Sequence, residues 1–223
     1  MNIVIVGAGN DPQRFGGYFK QVAEEAEHTV YTFSYRLETT ALEDVPVIFE
    51  LDVLDRIPEG ETIDLFLYNS IGGFYPGQPK HYSSLHDVNM YEWQKSILIN
   101  AAIPHKLSTM ALRKMDENSS IVFMTSSASY LINRDNYLEM AGYFGTKGAM
   151  NQLMRAMAEY NDKGTTVYTM APHIPYENPE QARLILKKLT DYILSMNKES
   201  NGKILQCYPP DGRIWPHEGG QHP

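Results

Sequence analysis

Two residues four apart, Tyr143 and Lys147, stand at the start of a stretch with helical spacing. A separation of four puts both side chains on one helix face. A phenol has a reference pKa of about 10, so it is a weak acid at neutral pH and almost never a base. A neighbouring ammonium favours the phenolate and lowers that value. The expected chemistry is passage of a proton to or from a carbonyl or hydroxyl oxygen. Seventeen residues before Tyr143 comes Ser126, in the run Thr125-Ser126-Ser127, whose hydroxyls can donate to the same oxygen. Spacing by itself does not single out the pair: about one Tyr-x-x-x-Lys is expected by chance, and Tyr91 and Lys95 form a second. Order singles it out, because only Tyr143 and Lys147 follow a serine-ended apolar run and open a helix.

The elements that must position these residues alternate along the chain. Short runs rich in Val, Ile, Phe and Tyr occupy residues 3–6, 29–33, 47–51, 63–68, 121–124, 167–170 and 204–207. Nearly continuous apolar runs mark strands buried on both faces. Helical stretches are expected at 15–27, at 87–114 with a break near the middle, at 143–160 and at 178–197. In the last, Asn178 is the expected N-cap with Pro179 in the first turn. Ala182, Ile185, Leu189, Ile193 and Met196 make one apolar stripe. The alternation predicts an α/β fold, a Rossmann-type doubly wound parallel sheet of about seven strands with helices on both faces. Ligands of such sheets bind beyond the carboxyl ends of the strands, at the switch point.

The segments beyond those ends are informative. The first run leads into Gly7-Ala8-Gly9, then Arg14-Phe15-Gly16-Gly17. This is either a plain strand-to-helix turn or a loop whose glycines admit a diphosphate to the helix N-terminus. The second ends in Ser34-Tyr35-Arg36 with no acid for a ribose 2′-hydroxyl. Ser34 and Arg36 suit a 2′-phosphate, unless Arg36 is a solvated loop charge. The third ends in Asp52-Val53, placed to meet an adenine. The fourth ends in Asn69-Ser70-Ile71-Gly72-Gly73.

Composition narrows the class. The chain has 223 residues and a net charge of −8, which argues against a nucleic-acid partner. One cysteine, Cys207, excludes an internal disulfide and makes a reducing compartment the default. No apolar run reaches membrane-spanning length, and no basic, apolar leader opens the chain. A single domain over 1–223 in the cytoplasm is expected, with 208–223 an irregular tail. In that tail His217, Glu218 and His222 lack further ligands, so no metal is expected.

The whole order resembles the short-chain dehydrogenase/reductase superfamily, from Gly7 to Gly202. The resemblance rests on the glycine loop, Asp52-Val53, Asn69, Glu92-Trp93…Ile99-Asn100, Thr125-Ser126-Ser127, Tyr143/Lys147, Ala171-Pro172 and Asn201-Gly202-Lys203-Ile204. It implies a catalytic set of Asn100, Ser126, Tyr143 and Lys147. Ser126 orients the substrate oxygen, with Ser127 the alternative, and Tyr143 is the acid/base. Lys147 holds the nicotinamide ribose and lowers the Tyr143 pKa. Asn100 sits in a helix irregularity and holds a water leading from Lys147 to solvent. The implied cofactor contacts are Gly7, Gly9, Arg14, Phe15, Gly17, Arg36, Asp52, Val53, Asn69, Ser70, Pro172, Tyr143 and Lys147. NADP(H) is favoured and NAD(H) possible. The resemblance also implies a homodimer or homotetramer, through the helix after Asn100 and the one carrying Tyr143. On the latter Met150, Leu153, Met154 and Met157 form either a partner surface or core.

The chain departs from the family pattern in several places. Its ten-residue step from Gly7 to Gly17 is similar to that of enoyl-reductase-type members, yet Met140 stands where those carry tyrosine. Ile71 and His173 replace glycines, and His173 either lines the pocket or is a packed polar group. Only His173–Glu177 separate the sixth strand from the next helix, a short lid. Residues 72–86, residues 130–140 with Tyr130, Arg134 and Tyr137, and the tail are alternative covers. Arg134 recognises an acidic substrate or is a solvated charge. The leading expectation is an NAD(P)(H)-dependent oxidoreductase interconverting a carbonyl and an alcohol. Double-bond reduction and a non-catalytic dinucleotide-binding module are the alternatives. Cys207 is expected in the last strand, away from the site.

Overall fold

A computed structural model of the chain describes residues 1–33, 56–70, 90–126, 141–208 and 211–216. The expected strand at 47–51 lies outside the described residues, as do Ser34, Arg36, Asp52, Val53, Ile71, Ser127, Tyr130, Arg134, Tyr137, Met140, His217, Glu218 and His222.

Seven strands make one sheet: β1 (Asn2–Val6), β2 (Thr29–Phe33), β3 (Leu65–Tyr68), β4 (Ser120–Met124), β5 (Thr166–Pro172), β6 (Ile204–Tyr208) and β7 (Arg213–Pro216). Their order is β2-β1-β3-β4-β5-β6-β7. The first six run parallel. In β1 alternate residues serve opposite faces: Val4 and Val6 join one apolar cluster, Ile3 and Ile5 the other. This is why the run is continuous rather than alternating in hydrophobicity.

Helices cover both faces. On one, α1 (Phe15–Glu25) places Phe15, Phe19 and Ala23 against the sheet beside Ile185, Leu189 and Ile193 of α5 (Pro179–Leu194). On the other lie α2 (Met90–Ile97), α3 (Ile103–Ala111) and α4 (Ala141–Tyr160). The Asn178 side chain accepts from the Gln181 N–H, the expected cap, and α5 ends at Leu194. Met196 lies beyond that end at φ 52° and still packs on the core.

The expected break in the 87–114 stretch is a π-helical turn, Leu98–Ala102, followed by α3 and a short 3-10 turn, Leu112–Lys114. Pro104 has no N–H to give, so a carbonyl one turn back lacks its helical donor. Tyr68 of β3, fully buried, must satisfy its hydroxyl. It donates to the Ile99 carbonyl inside the π turn at 2.5 Å. Proline chemistry and a buried phenol thus fix the irregularity at one place.

One expectation is corrected. The tail is not irregular throughout, because Arg213–Pro216 form β7, antiparallel to β6 with Cys207 opposite Ile214. Cys207 is therefore in the penultimate strand. A turn closed by Asp211 accepting from the Arg213 N–H at 3.0 Å and Gly212 at φ 66° returns the chain. Its signal, Asp-Gly between two strands, was present in the sequence. Among the described residues no helix is long and apolar enough to cross a membrane.

Candidate active site

The sheet reverses its winding at β1, which lies between β2 and β3. Val6 is level with Phe33 on one side and Tyr68 on the other. Gly7 donates its N–H to the Phe33 carbonyl at 2.7 Å, and Asn69 donates its own to Val6 at 2.8 Å. The segments after β1 and β3 therefore leave the sheet together, at the edge where ligands of doubly wound folds sit.

Three elements bring the four expected catalytic residues to this edge. Ser126 follows β4, Tyr143 and Lys147 lie on α4, and Asn100 lies in the π turn. Ser126 lies beside Tyr143, and its side chain acts to lower the phenol's pKa. Lys147 is fully buried and donates to the Met124 carbonyl at the end of β4 at 2.9 Å. Its Nζ lies 5.9 Å from the centre of the Tyr143 ring. Asn100, also fully buried, donates from Nδ2 to Thr146 Oγ1 at 3.1 Å, and that hydroxyl donates to the Tyr143 carbonyl at 2.9 Å.

The electrostatics differ from expectation in one respect. Burial raises the Tyr143 pKa above its ordinary value, and the Ser126 side chain opposes this. The Lys147 ammonium does not lower it. Burial brings Lys147 itself down to about 7, because removing an ammonium from water disfavours its charged form. At neutral pH only part of the Lys147 population carries the charge that was to stabilise a phenolate.

The glycine segment builds the other half of the site. Gly7 and Gly9 have φ of 81° and 66°, conformations that side chains resist. A side chain on Gly7 would collide with Ser70, and one on Gly16 with the Ala8 carbonyl and the Asn69 amide. Asn69 ties the loop from the other side, donating from Nδ2 to the Gly7 carbonyl at 2.9 Å. Gly17 packs against the Asp11 backbone, and Phe15 is buried against Phe19. Above Gly9 there is nothing within 4 Å of where a Cβ would stand. A bare loop entering a helix N-terminus has the donors and the clearance that a diphosphate requires.

Arg14 immediately precedes α1. Its guanidinium lies 3.9 Å from the Asp11 carboxylate and 4.3 Å from the centre of the Tyr176 ring. Pro172 ends β5, and the His173 N–H donates to the Cys207 carbonyl at 2.8 Å. The Cys207 backbone thus supports the strap leaving β5. Its thiol is buried and pushed up to about 12, mainly by burial, which leaves it inert. Met150, Met154 and Met157 of α4 belong to the core. Among the described residues no group of three His, Cys, Asp or Glu could hold a metal.

Of the residues expected here, Gly7, Gly9, Arg14, Phe15, Gly17, Asn69, Ser70, Asn100, Ser126, Tyr143, Lys147 and Pro172 are described, at or near the carboxyl edge. Arg36, Asp52 and Val53 are not. Three contributors had not been singled out. Gly16 and Thr146 adjoin residues that had, so neighbouring positions in the motifs were their signal. Tyr176 carries no sequence signal, since only folding returns it to α1.

The sequence matches the model of the short chain dehydrogenase family over residues 21–176. No curated protein sequence is detectably similar to the chain. Many solved structures share its fold. The promiscuous reductase LugOII, which catalyses keto-reduction at C1 during lugdunomycin biosynthesis, is 21% identical with a TM-score of 0.66, over 92% of this chain and 94% of that one. A short chain dehydrogenase/reductase from Brucella ovis is 18% identical with a TM-score of 0.68, over 92% and 98%. A short chain dehydrogenase family protein from Francisella tularensis is 15% identical with a TM-score of 0.64, over 93% and 96%.

Proposed function

The chain belongs to the short chain dehydrogenase family, and from that premise we propose that it interconverts a carbonyl and an alcohol with a nicotinamide dinucleotide, Tyr143 being the acid/base. The observation that carries the reading is the convergence of Ser126 on the Tyr143 phenol, with Lys147 one turn further along the same helix and its Nζ 5.9 Å from the ring centre. Two hydroxyls meet where a substrate oxygen can accept from both.

The bound dinucleotide supplies or accepts the hydride. Residues of the chain do the rest. In the reducing direction Tyr143 releases its phenolic proton to the substrate oxygen as negative charge develops there, and Ser126 donates to the same oxygen. In the oxidising direction Tyr143 accepts the proton, and its raised pKa favours that acceptance once the phenolate forms. Lys147, titrating near neutrality, is the group through which a proton is replaced, and it would hold the nicotinamide ribose. Asn100 positions α4 through Thr146. Gly7, Gly9 and the first turn of α1 would receive the diphosphate, with Asn69, Ser70 and Pro172 further along the cofactor's path.

NADP(H) is favoured over NAD(H) because no acid follows β2 and Arg36 stands there instead. Arg14 adds less to that preference, its guanidinium being engaged with Asp11 and Tyr176. A single domain, a cytoplasmic location and assembly into a homodimer or homotetramer complete the reading.

The test is a fluorescence titration with NADPH and NADH, followed by turnover of a panel of small carbonyl compounds by the wild type and Tyr143→Phe. The expected result is dinucleotide binding by both proteins and turnover by the wild type only. Full turnover by the variant, or failure of the wild type to bind either dinucleotide, overturns the reading.

A further inference from the structure

The carboxyl end of β3 carries two polar residues side by side, and each holds a different half of the candidate site. Asn69 holds the glycine segment, its Nδ2 donating to the Gly7 carbonyl at 2.9 Å. Tyr68 holds the π turn, its hydroxyl donating to the Ile99 carbonyl. The Tyr68 ring is fully buried on the face of the sheet that α2, α3 and α4 cover, with its centre 6.4 Å from that of Phe123.

The chain itself selects the acceptor. In the π turn the Ile103 N–H donates to the Leu98 carbonyl, five residues back. The next bond in that register would reach the Ile99 carbonyl from residue 104, which is Pro104 and has no N–H. Tyr68 supplies from the sheet the donor that the helix lacks. The peptide so held is the one that joins Ile99 to Asn100. Its carbonyl and the Asn100 N–H share a plane, so the bond restrains how the Asn100 side chain leaves the turn. Asn100, fully buried, donates from Nδ2 to Thr146 Oγ1 at 3.1 Å. Thr146 lies between Tyr143 and Lys147 on the first turns of α4.

We propose that Tyr68 is a positioning residue for the proton-transferring pair: its hydroxyl holds the Ile99–Asn100 peptide, and through Asn100 and Thr146 it sets where α4 presents Tyr143 and Lys147. This role rests on the oxidoreductase reading above. Tyr68 itself touches neither substrate nor cofactor. Tyr68→Phe keeps the ring beside Phe123 and removes the donor. The Ile103 N–H then turns from Leu98 to Ile99, its α-helical partner four residues back, and the rotation carries Asn100 away from Thr146. The glycine segment keeps its own tie through Asn69, so the cofactor seat is spared.

The test compares wild type, Tyr68→Phe and the double variant Tyr68→Phe/Pro104→Ala, in which alanine restores an N–H within reach of the Ile99 carbonyl. Amide hydrogen exchange of residues 98–102 and 143–147 is followed without ligand. NADPH binding is read by fluorescence, and kcat from reduction of a small carbonyl compound. Expected in Tyr68→Phe are faster exchange in both segments, unchanged NADPH affinity and a kcat about 10- to 100-fold lower, as for a slightly misplaced catalytic group. The double variant should recover most of the exchange protection and of kcat. Unchanged exchange at 143–147 in Tyr68→Phe overturns the positioning role, as does a wild-type kcat or the absence of recovery in the double variant. A loss of NADPH affinity as large as the loss of kcat also overturns it, because general loosening of the fold then suffices. Faster exchange in both segments, recovered in the double variant, with no NADPH binding or turnover by any of the proteins upholds the hold on α4 and overturns the oxidoreductase reading instead.

Discussion

Asn100 in the π turn and Thr146 on α4 are joined by a buried hydrogen bond of 3.1 Å, and Thr146 passes the connection to the Tyr143 carbonyl at 2.9 Å. The Tyr68 hydroxyl anchors the same turn to β3 through Ile99. A continuous polar path therefore runs from the centre of the sheet to the backbone of the proposed acid/base. Tyr68, Asn100 and Thr146 are all buried, so the loss of one removes a hydrogen bond from its neighbour away from water.

Thr146→Val tests that path. The methyl-for-hydroxyl exchange keeps the shape but removes the acceptor of the buried Asn100 amide hydrogen bond. The expected cost is about 1–3 kcal/mol in urea unfolding, the penalty for an unmade buried hydrogen bond. Thr146→Ser should recover most of it. Equal stability of the valine and serine variants would show that the path carries no weight.

Gly16→Ala addresses the turn itself. A methyl there meets the Ala8 carbonyl and the Asn69 amide, and the carbonyl belongs to a backbone held on both sides. Forced displacement of this kind typically costs about 1–3 kcal/mol. Gly9→Ala meets nothing, so only its φ of 66° opposes it, at roughly 1 kcal/mol. Thermal melts should rank Gly16→Ala below Gly9→Ala and both below the wild type. The reverse order would contradict the packing described.

Lys147→Met should change how stability depends on pH. The folded-state pKa near 7 lies below the ordinary 10.5. Below about pH 7 both states hold the proton and the folded protein bears the whole cost of a buried ammonium. Between 7 and 10.5 the unfolded chain holds a proton that the folded one has released, so stability rises with pH. Methionine removes that rise. Its advantage over the wild type, on the order of a few kcal/mol at pH 6.5, should shrink by pH 9.5. Urea titrations at the two values decide it, and parallel curves would mean that Lys147 stays charged throughout.

The sequence carried the positions of β1 to β6, though not β7, along with the cap at Asn178 and the placing of Tyr143 and Lys147 one turn apart on a helix, because each depends on local chemistry: apolar runs, a capping side chain, a spacing of four. It also placed a break in the 87–114 stretch. It did not reveal that the break is a π turn, since that follows from Tyr68 finding the Ile99 carbonyl across the sheet. The Tyr176–Arg14 contact was hidden for the same reason, joining residues far apart in the sequence. The lowered Lys147 pKa was hidden too. A spacing of four brings the ammonium near the phenol, but burial decides how often it is an ammonium.

Ser126→Ala tests the other influence on Tyr143. Burial raises the phenol's pKa and the Ser126 side chain pulls it back. With Ser126 gone only the upward influence remains, so the phenolate forms at higher pH. Oxidation of an alcohol needs Tyr143 deprotonated, and its pH–rate profile should therefore move to higher pH in the variant. Reduction needs the proton present and should keep its rate further into alkaline solution, though from a lower plateau. That plateau should fall about 10²-fold or more, the usual worth of a donor on a developing oxyanion. Profiles of kcat in both directions separate the two effects. A lower plateau with an unmoved profile would mean that Ser126 acts on the substrate oxygen alone and leaves the ionisation of Tyr143 to its burial.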